Sequence, residues 1–214
     1  MALFIEDIGM LSRRTVVYID GYNLYHAIDD LKDDSLKWVN LWALAETMLR
    51  DGEHLHQVIY FSAYATHYPD AYKRHRAYVA ALKEERVKVV MGQFKKKFPK
   101  CNVCQARYQT HEEKETDVNI AIHLIRDTMQ DTFDRAIIVS ADTDMRSAVE
   151  MARGLSGTKL IDIVAPPGRK KYARQMNPLF ELTKGRIQGC RLNRSYSRDG
   201  KLVSEVPVKY QSPT

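Results

Sequence analysis

The 214-residue sequence predicts an α/β protein built on a central, mainly parallel, doubly wound sheet of about five strands. Three observations carry that expectation. Short β-branched or aromatic runs at 14–20, 57–64, 87–91, 136–140 and 159–164 alternate with longer segments of helical periodicity. The run Ala136-Ile-Ile-Val139 has no polar side chain, as a strand buried on both faces of a parallel sheet requires. Two runs end in acidic turns, Asp20-Gly21 and Ser140-Ala-Asp142-Thr-Asp144, at the sheet edge where open α/β proteins bind ligands.

The elements follow in order. After the strand at 14–20, Gly21 allows a tight turn and Asn23 stands near the cap of a helix over 23–28. Residues 38–49 read as a second helix, with Leu41, Leu44, Ala45 and Met48 at helical spacing. A strand at 57–64 leads to a long helix over 69–85, with Ala71, Tyr72, His75 and Val79 on its inner face. Beyond the strand at 87–91, residues 92–111 break the rhythm and read as an inserted β-hairpin. Its arms are 94–98 and 106–110, with Cys101-Asn-Val-Cys104 near the tip. Residues 116–129 are helical, with Val118, Ala121, Ile122, Ile125 and Met129 forming one apolar stripe. A strand at 136–140, a helix over 144–153 and a strand at 159–164 complete the core, and Pro166-Pro167-Gly168 ends it. Residues 196–213 read as a short hairpin around Asp199-Gly200 and a tail.

Composition narrows the class. Hydrophobic content of 44% and charged content of 28% are those of an ordinary globular chain. No apolar run approaches the roughly 20 residues of a membrane span. Residues 1–9 are short and acidic, without the basic start of a secretory leader. Three cysteines argue against a disulfide framework and for a reducing, cytoplasmic setting. Net charge is +6, and residues 166–198 hold nine Lys/Arg against Glu181 alone. A basic segment on a slightly acidic body suits a polyanion, although a solvated surface explains it equally.

The carboxylates converge from separate segments. Parallel strands share a direction, so Asp20 and Asp142 emerge on one edge if their strands are neighbours or nearly so, and Asp117 lies in the first turn of the helix beginning near Thr116. Clustered aspartates repel one another unless protonated or neutralised, and a hard divalent cation such as Mg²⁺ or Mn²⁺ is the usual partner. Plainer roles stay open at this stage: Asp144 as a helix cap, Asp117 as a complement to a helix dipole, Asp20 as a turn residue. No Ser or Cys constellation with a base is visible, which argues against a covalent mechanism.

Taken together, Tyr18-Ile-Asp-Gly-Tyr-Asn23, Glu112-Glu-Lys-Glu-Thr-Asp117-Val-Asn-Ile-Ala and Val139-Ser-Ala-Asp-Thr-Asp144 resemble the NYN domain family, PIN-like proteins of the bacterial LabA-like sort. The resemblance implies a PIN-like three-layer α/β/α sandwich over residues 1–165, with the hairpin insert at about 92–111 and a basic C-terminal extension over 166–214. It also implies metal-dependent cleavage of RNA, with acids matching Asp20, Asp117, Asp142 and Asp144 around Mg²⁺ or Mn²⁺ and Asn23 matching the family's Asp-Gly-x-Asn turn. One departure is Ala141, where family members often carry Gly. Asn23, Ser140 and Thr143 could bind metal waters or phosphate oxygens.

Two further features remain. Cys101-x-x-Cys104 is half of a zinc site, for which His111 and Cys190 are the candidate completing ligands; two reduced cysteines in a turn explain it as well. Lys95, Lys96 and Lys97 with Phe94, Phe98 and Tyr108 suit single-stranded RNA, as do Arg169, Lys170, Lys171 and Arg174, while a solvated hairpin or a homodimer contact would use the same residues. The expected activity is therefore a metal-dependent endoribonuclease, with a non-catalytic RNA-binding module as the alternative. A HAD-type phosphatase would need an acid where Tyr22 stands, and a Toprim nuclease begins with Glu rather than Asp20.

Overall fold

The computed structural model describes residues 12–211, so the expectations on residues 1–9 and on the last residues of the tail lie outside it. A seven-stranded sheet runs in the order β4-β3-β2-β1-β5-β6-β7. Its parallel strands are β1 (Arg13–Asp20), β2 (Glu53–Ala63), β3 (Lys88–Lys97), β5 (Arg135–Val139), β6 (Leu160–Ala165) and the short β7 (Phe180–Glu181). Only β4 (Thr110–Lys114) is antiparallel, paired with the outer part of β3.

The side-chain alternation of β1 builds two cores at once. Val17 and Ile19 face a layer of α1 (Gly21–Asp29), α2 (Leu41–Glu46) and α3 (Pro69–Glu84). Val16 and Tyr18 face α4 (Thr116–Met129) and α5 (Arg146–Leu155) on the other side. All four β1 side chains are fully buried. The result is the expected α/β/α sandwich. From β1 the chain steps outward through β2 and β3, then returns to β5 on the opposite side of β1. The reversal opens a crevice between the carboxyl ends of β1 and β5, the general ligand position of such sheets. At the other edge Arg135 is buried and paired with Glu53 and Asp162, both at 2.8 Å, which ties β2, β5 and β6 together.

Several boundaries differ from the sequence reading. The hairpin's second arm is 110–114 rather than 106–110. Its charged residues pair with 93–97 along an edge ladder, where Lys97 and Lys114 both meet Glu112. The second helix shrinks to α2, because Asp33 caps a separate 3₁₀ turn (Asp34–Lys37) and Asn40 caps α2 with its own side chain. Likewise a 3₁₀ turn (Thr143–Met145) precedes α5. The apolar stripe of α4 is not its core face: Val118, Ile122 and Met129 are exposed, and Ile120, Leu124, Asp127 and Thr128 are buried. Asp127 can turn inward because the Tyr18 hydroxyl donates to it at 2.8 Å and Arg126 pairs with it.

The C-terminal segment packs on the domain. Leu182, Ile187, Cys190, Leu192, Val206 and Tyr210 join the same apolar cluster as α1, α2 and α3. Residues between β7 and Tyr210 include α6 (Lys184–Gln188) and a hairpin of β8 (Ser195–Arg198) and β9 (Lys201–Glu205), the latter around Asp199-Gly200 as expected. The Trp38 indole donates to the Asn193 carbonyl at 2.9 Å, and the Ser204 hydroxyl to the Ala77 carbonyl at 2.6 Å.

Gly21 sets how closely α1 sits on β2. A Cβ there would stand 2.7 Å from the Phe61 carbonyl oxygen and 2.4 Å from the edge of the Tyr60 ring. Gly21→Ala should therefore lower unfolding stability in urea by about 1–3 kcal/mol, the range for overpacking a filled site. A variant as stable as the parent would show that α1 has room to move.

Candidate active site

Each acid is positioned by a different element. Asp20 ends β1 and caps α1, its Oδ1 accepting from the Asn23 amide at 3.0 Å. Its Oδ2 accepts from the Ser140 hydroxyl at 2.9 Å, across the crevice on β5's exit. The Ser140 oxygen in turn accepts from the Asp142 amide at 3.0 Å. Asn23 Oδ1 accepts from the Ala141 amide at 3.1 Å, so a second bond parallels the first. Together they pin the β1–α1 turn to the β5–α5 turn.

That arrangement revises some expected roles. Asp20, not Asn23, is the cap of α1, and Asn23 spends its carbonyl on holding the opposite turn. Asp142 rather than Asp144 is the capping acid after β5, its Oδ1 accepting from the Asp144 amide at 2.9 Å. Asp142 is half-buried and Asp144 exposed. Ala141 is absent from the residues with left-handed backbone, so alanine suits a position where glycine's extra freedom is not used.

Asp117 comes from the far side of the crevice. Glu115 enters α4 through a left-handed φ of 78°, which turns the helix start toward the acids. Glu113 accepts from the Thr116 amide at 3.3 Å and from its hydroxyl, which fixes that first turn. Sequence reading missed Glu113 as a site residue. Its only signal was its place in the acidic run before Asp117.

The electrostatics show that these carboxylates feel one another. Burial pushes the Asp20 carboxyl up to about 7, with the charges of Asp117 and Asp142 adding to the effect and its two hydrogen bonds opposing it. Asp117 is raised to about 6, mostly by burial, then by Asp142, Glu113 and Asp144. Hard oxygen donors crowded without a counter-cation match the chemistry of Mg²⁺ or Mn²⁺. Among the described residues, however, no three His, Cys, Asp or Glu side chains close into a ready cage. An open set fits Mg²⁺ in particular, which is commonly held by one or two carboxylates, with substrate phosphates supplying further oxygens.

The other expected sites divide. The edge ladder puts Lys96 on the same ribbon face as Phe94, His111 and Glu113, and Lys95 and Lys97 on the opposite one. Lys97 is moreover ion-paired with Glu112. Arg169, Lys170 and Lys171 follow the carboxyl end of β6 and so lie on the edge that carries the acids, with Arg169 paired to Asp30. The zinc ligands do not assemble. His111 stacks on His67 at 3.7 Å and Cys190 is buried in the α1–α3 core, while no third His, Cys, Asp or Glu ligand joins Cys101 and Cys104 among the described residues. The Cys101 thiol is lowered by the backbone amides of Cys104 and Val103 and by the Cys104 side chain.

The family model described as NYN domain matches residues 14–176. The chain belongs to the NYN domain family. That family lies within the PIN-like nuclease superfamily, and NYN domains are generally nucleases. A curated relative, 6-hydroxy-3-succinoylpyridine 3-monooxygenase HspA of Pseudomonas putida, is 26% identical over 85% of this chain and 70% of its own length. Among solved structures, a Vibrio parahaemolyticus protein of unknown function superposes with a TM-score of 0.53 at 15% identity, covering 90% of this chain and 97% of that one. The second likeness concerns the fold alone. No helix among the described residues is long and apolar enough to cross a membrane.

The raised Asp20 carboxyl gives a signed pH dependence for this NYN domain without metal. Its folded value lies above the ordinary 3.8, so it disfavours the folded state as pH rises from the ordinary range through about 7. Metal-free protein should lose roughly 2.5–3 kcal/mol between pH 5 and pH 8 relative to Asp20→Asn, measured by urea unfolding at both values. Parallel pH curves for the two proteins would show that Asp20 is not held in this way.

Proposed function

We propose that the protein is a metal-dependent endoribonuclease whose Asp20, Asp117 and Asp142 hold Mg²⁺ or Mn²⁺. The observation that carries this reading is the hydrogen-bonded bridge between the Asp20 and Asp142 turns, beside the electrostatically coupled Asp117. When bound, the cation would activate an attacking water and offset charge on the phosphoryl oxygens. Asp144, exposed at the rim, orients outer water or serves a second ion. Ser140 and Asn23 hold the two turns in register, and so act as positioning residues. Lys96 and the segment Arg169–Lys171 contact backbone phosphates on either side of the cut.

A second reading draws on the Pseudomonas relative, which is named for an oxygenation of a substituted pyridine. A cavity lined by Tyr22, Tyr68, His67 and Phe94 beside α1 offers a place for a small ring. Oxygen-dependent loss of 6-hydroxy-3-succinoylpyridine in the presence of reduced nicotinamide, and its absence without enzyme, would support this alternative.

The nuclease reading is tested on labelled single-stranded and structured RNAs with Mn²⁺ or Mg²⁺. The wild type should cut internally, chelation should stop cleavage, and Asp142→Asn should be at least a hundredfold slower. Equal cleavage by both proteins, or none that depends on metal, would sink it. Tight binding without turnover would instead favour an RNA-binding module. On the same RNAs, Lys96→Ala should weaken binding and reduce the salt slope by about one, and Lys97→Ala should change little. Equal effects from the two lysines would contradict the assigned ribbon faces.

A further inference from the structure

A cavity of about 460 Å³ lies where α1, the β2–α3 connection, the β3–β4 hairpin and Tyr210 meet. That size suits a small organic ligand. Its walls are rings. His67 and His111 stack with centroids 3.7 Å apart, Phe94 stands 5.2 Å from His67, and Tyr22 lies 6.5 Å from Phe94. Tyr22 and Tyr68 stay 47% and 63% exposed, so two rings remain available to an incoming one.

The polar groups on one wall meet one another. The Tyr60 hydroxyl and the Ser62 hydroxyl lie 3.2 and 3.5 Å from His75 Nε2. Burial lowers the His75 imidazole to about 4, which leaves it uncharged at neutral pH. His67 Nδ1 is buried with no hydrogen-bond partner. The Lys37 ammonium, which also lines the cavity, is already paired with Asp29 and Asp34. A carboxylate ligand would find that charge spent, whereas a flat neutral ring with donors and acceptors on its edge meets rings on its faces and hydroxyl and imidazole groups at its rim.

The cavity is linked to the acidic segments through the chain. Its lining includes Gly21, the residue after Asp20, and Phe94, whose strand partner is Glu113. We propose that this cavity receives an unpaired nucleobase of the RNA whose phosphate lies at the acidic edge. The inference rests on the nuclease reading for its RNA, but its own content is the recognition of a base. A single-stranded segment supplies such a base because it is not held in a stack. The stacking rings would bind it and the Tyr60–His75–Ser62 group would contact its edge.

The test uses adenosine and ribose as probes in metal-free buffer, with affinities taken from NMR titration. Wild type should bind adenosine at least tenfold more tightly than ribose. Ala71→Trp, which fills the cavity from α3, and Phe94→Ala, which removes a wall, should each weaken adenosine binding at least fivefold and leave thermal unfolding cooperative. Equal affinity for adenosine and ribose would overturn the proposal, as would adenosine binding untouched in both folded variants. Tighter binding of nicotinate than adenosine, lost in Ala71→Trp, would also overturn it and mark a small-molecule site. Because the assay needs neither metal nor cleavage, adenosine bound by a protein that cuts no RNA would leave the base pocket standing while the nuclease reading fell. Metal-dependent cleavage by a protein that ignores adenosine would do the reverse.

Discussion

The bond from the Ser140 hydroxyl to the Asp20 carboxylate, 2.9 Å long, is the interaction on which the rest of the site depends. It crosses the place where strand order reverses, and it continues the link between β1 and β5 just past the last pair of their ladder, Ile19 and Val139. Ser140 can donate there because its oxygen accepts from the Asp142 amide, and Asn23 repeats the connection through Ala141. Two turns that follow separate strands are thereby locked at a fixed separation. An aspartate pair on independent loops would move apart to relieve its repulsion, and this pair cannot.

The electrostatic cost of that lock explains why a cation suits the site. Asp20 is buried, and its protonated form is favoured up to about neutral pH. A carboxylate kept in such a place without a counter-charge weakens the fold, as the linkage between ionisation and stability requires. Asp117, delivered by a helix start that Glu113 and the strained Glu115 backbone hold in position, adds a second raised carboxyl. The Arg135 cluster at the opposite edge shows the contrast: its buried charge is paired with Glu53 and Asp162, and it serves architecture.

Much of this was legible in the residues. The β-branched runs located the parallel strands, Asp20 and Asp142 were placed on one edge because parallel strands share a direction, and Asp117 was placed in the first turn of its helix. What escaped were features decided by tertiary partners. The stripe Val118–Ile122–Met129 has the periodicity of a core face, yet α4 turns Asp127 inward because Tyr18 supplies a hydroxyl to receive it. The strand 110–114 carries too many charges to read as β structure, and its cross-strand partners lie outside the segment itself. The roles of Asn23 and Asp144 were inverted with those of their neighbours, since capping is a matter of which side chain reaches which amide. The cysteine pair suggested zinc by spacing, but spacing said nothing of where His111 and Cys190 would go.

The C-terminal segment and the hairpin acquire a common place in this account. Tyr210 returns to the cavity beside α1, and the hairpin contributes Phe94 and His111 to its wall. Gly21, which follows Asp20, and Phe94, paired with Glu113, tie that ring-lined recess to the acidic segments, and a basic segment follows β6. The central claim is that β1, α4 and β5 share one divalent cation. Anomalous diffraction from crystals grown with Mn²⁺ tests it most directly. The account predicts a peak among the carboxylates of Asp20, Asp117 and Asp142, lost in Asp142→Asn crystals; saturating Mn²⁺ that leaves this edge empty would contradict it.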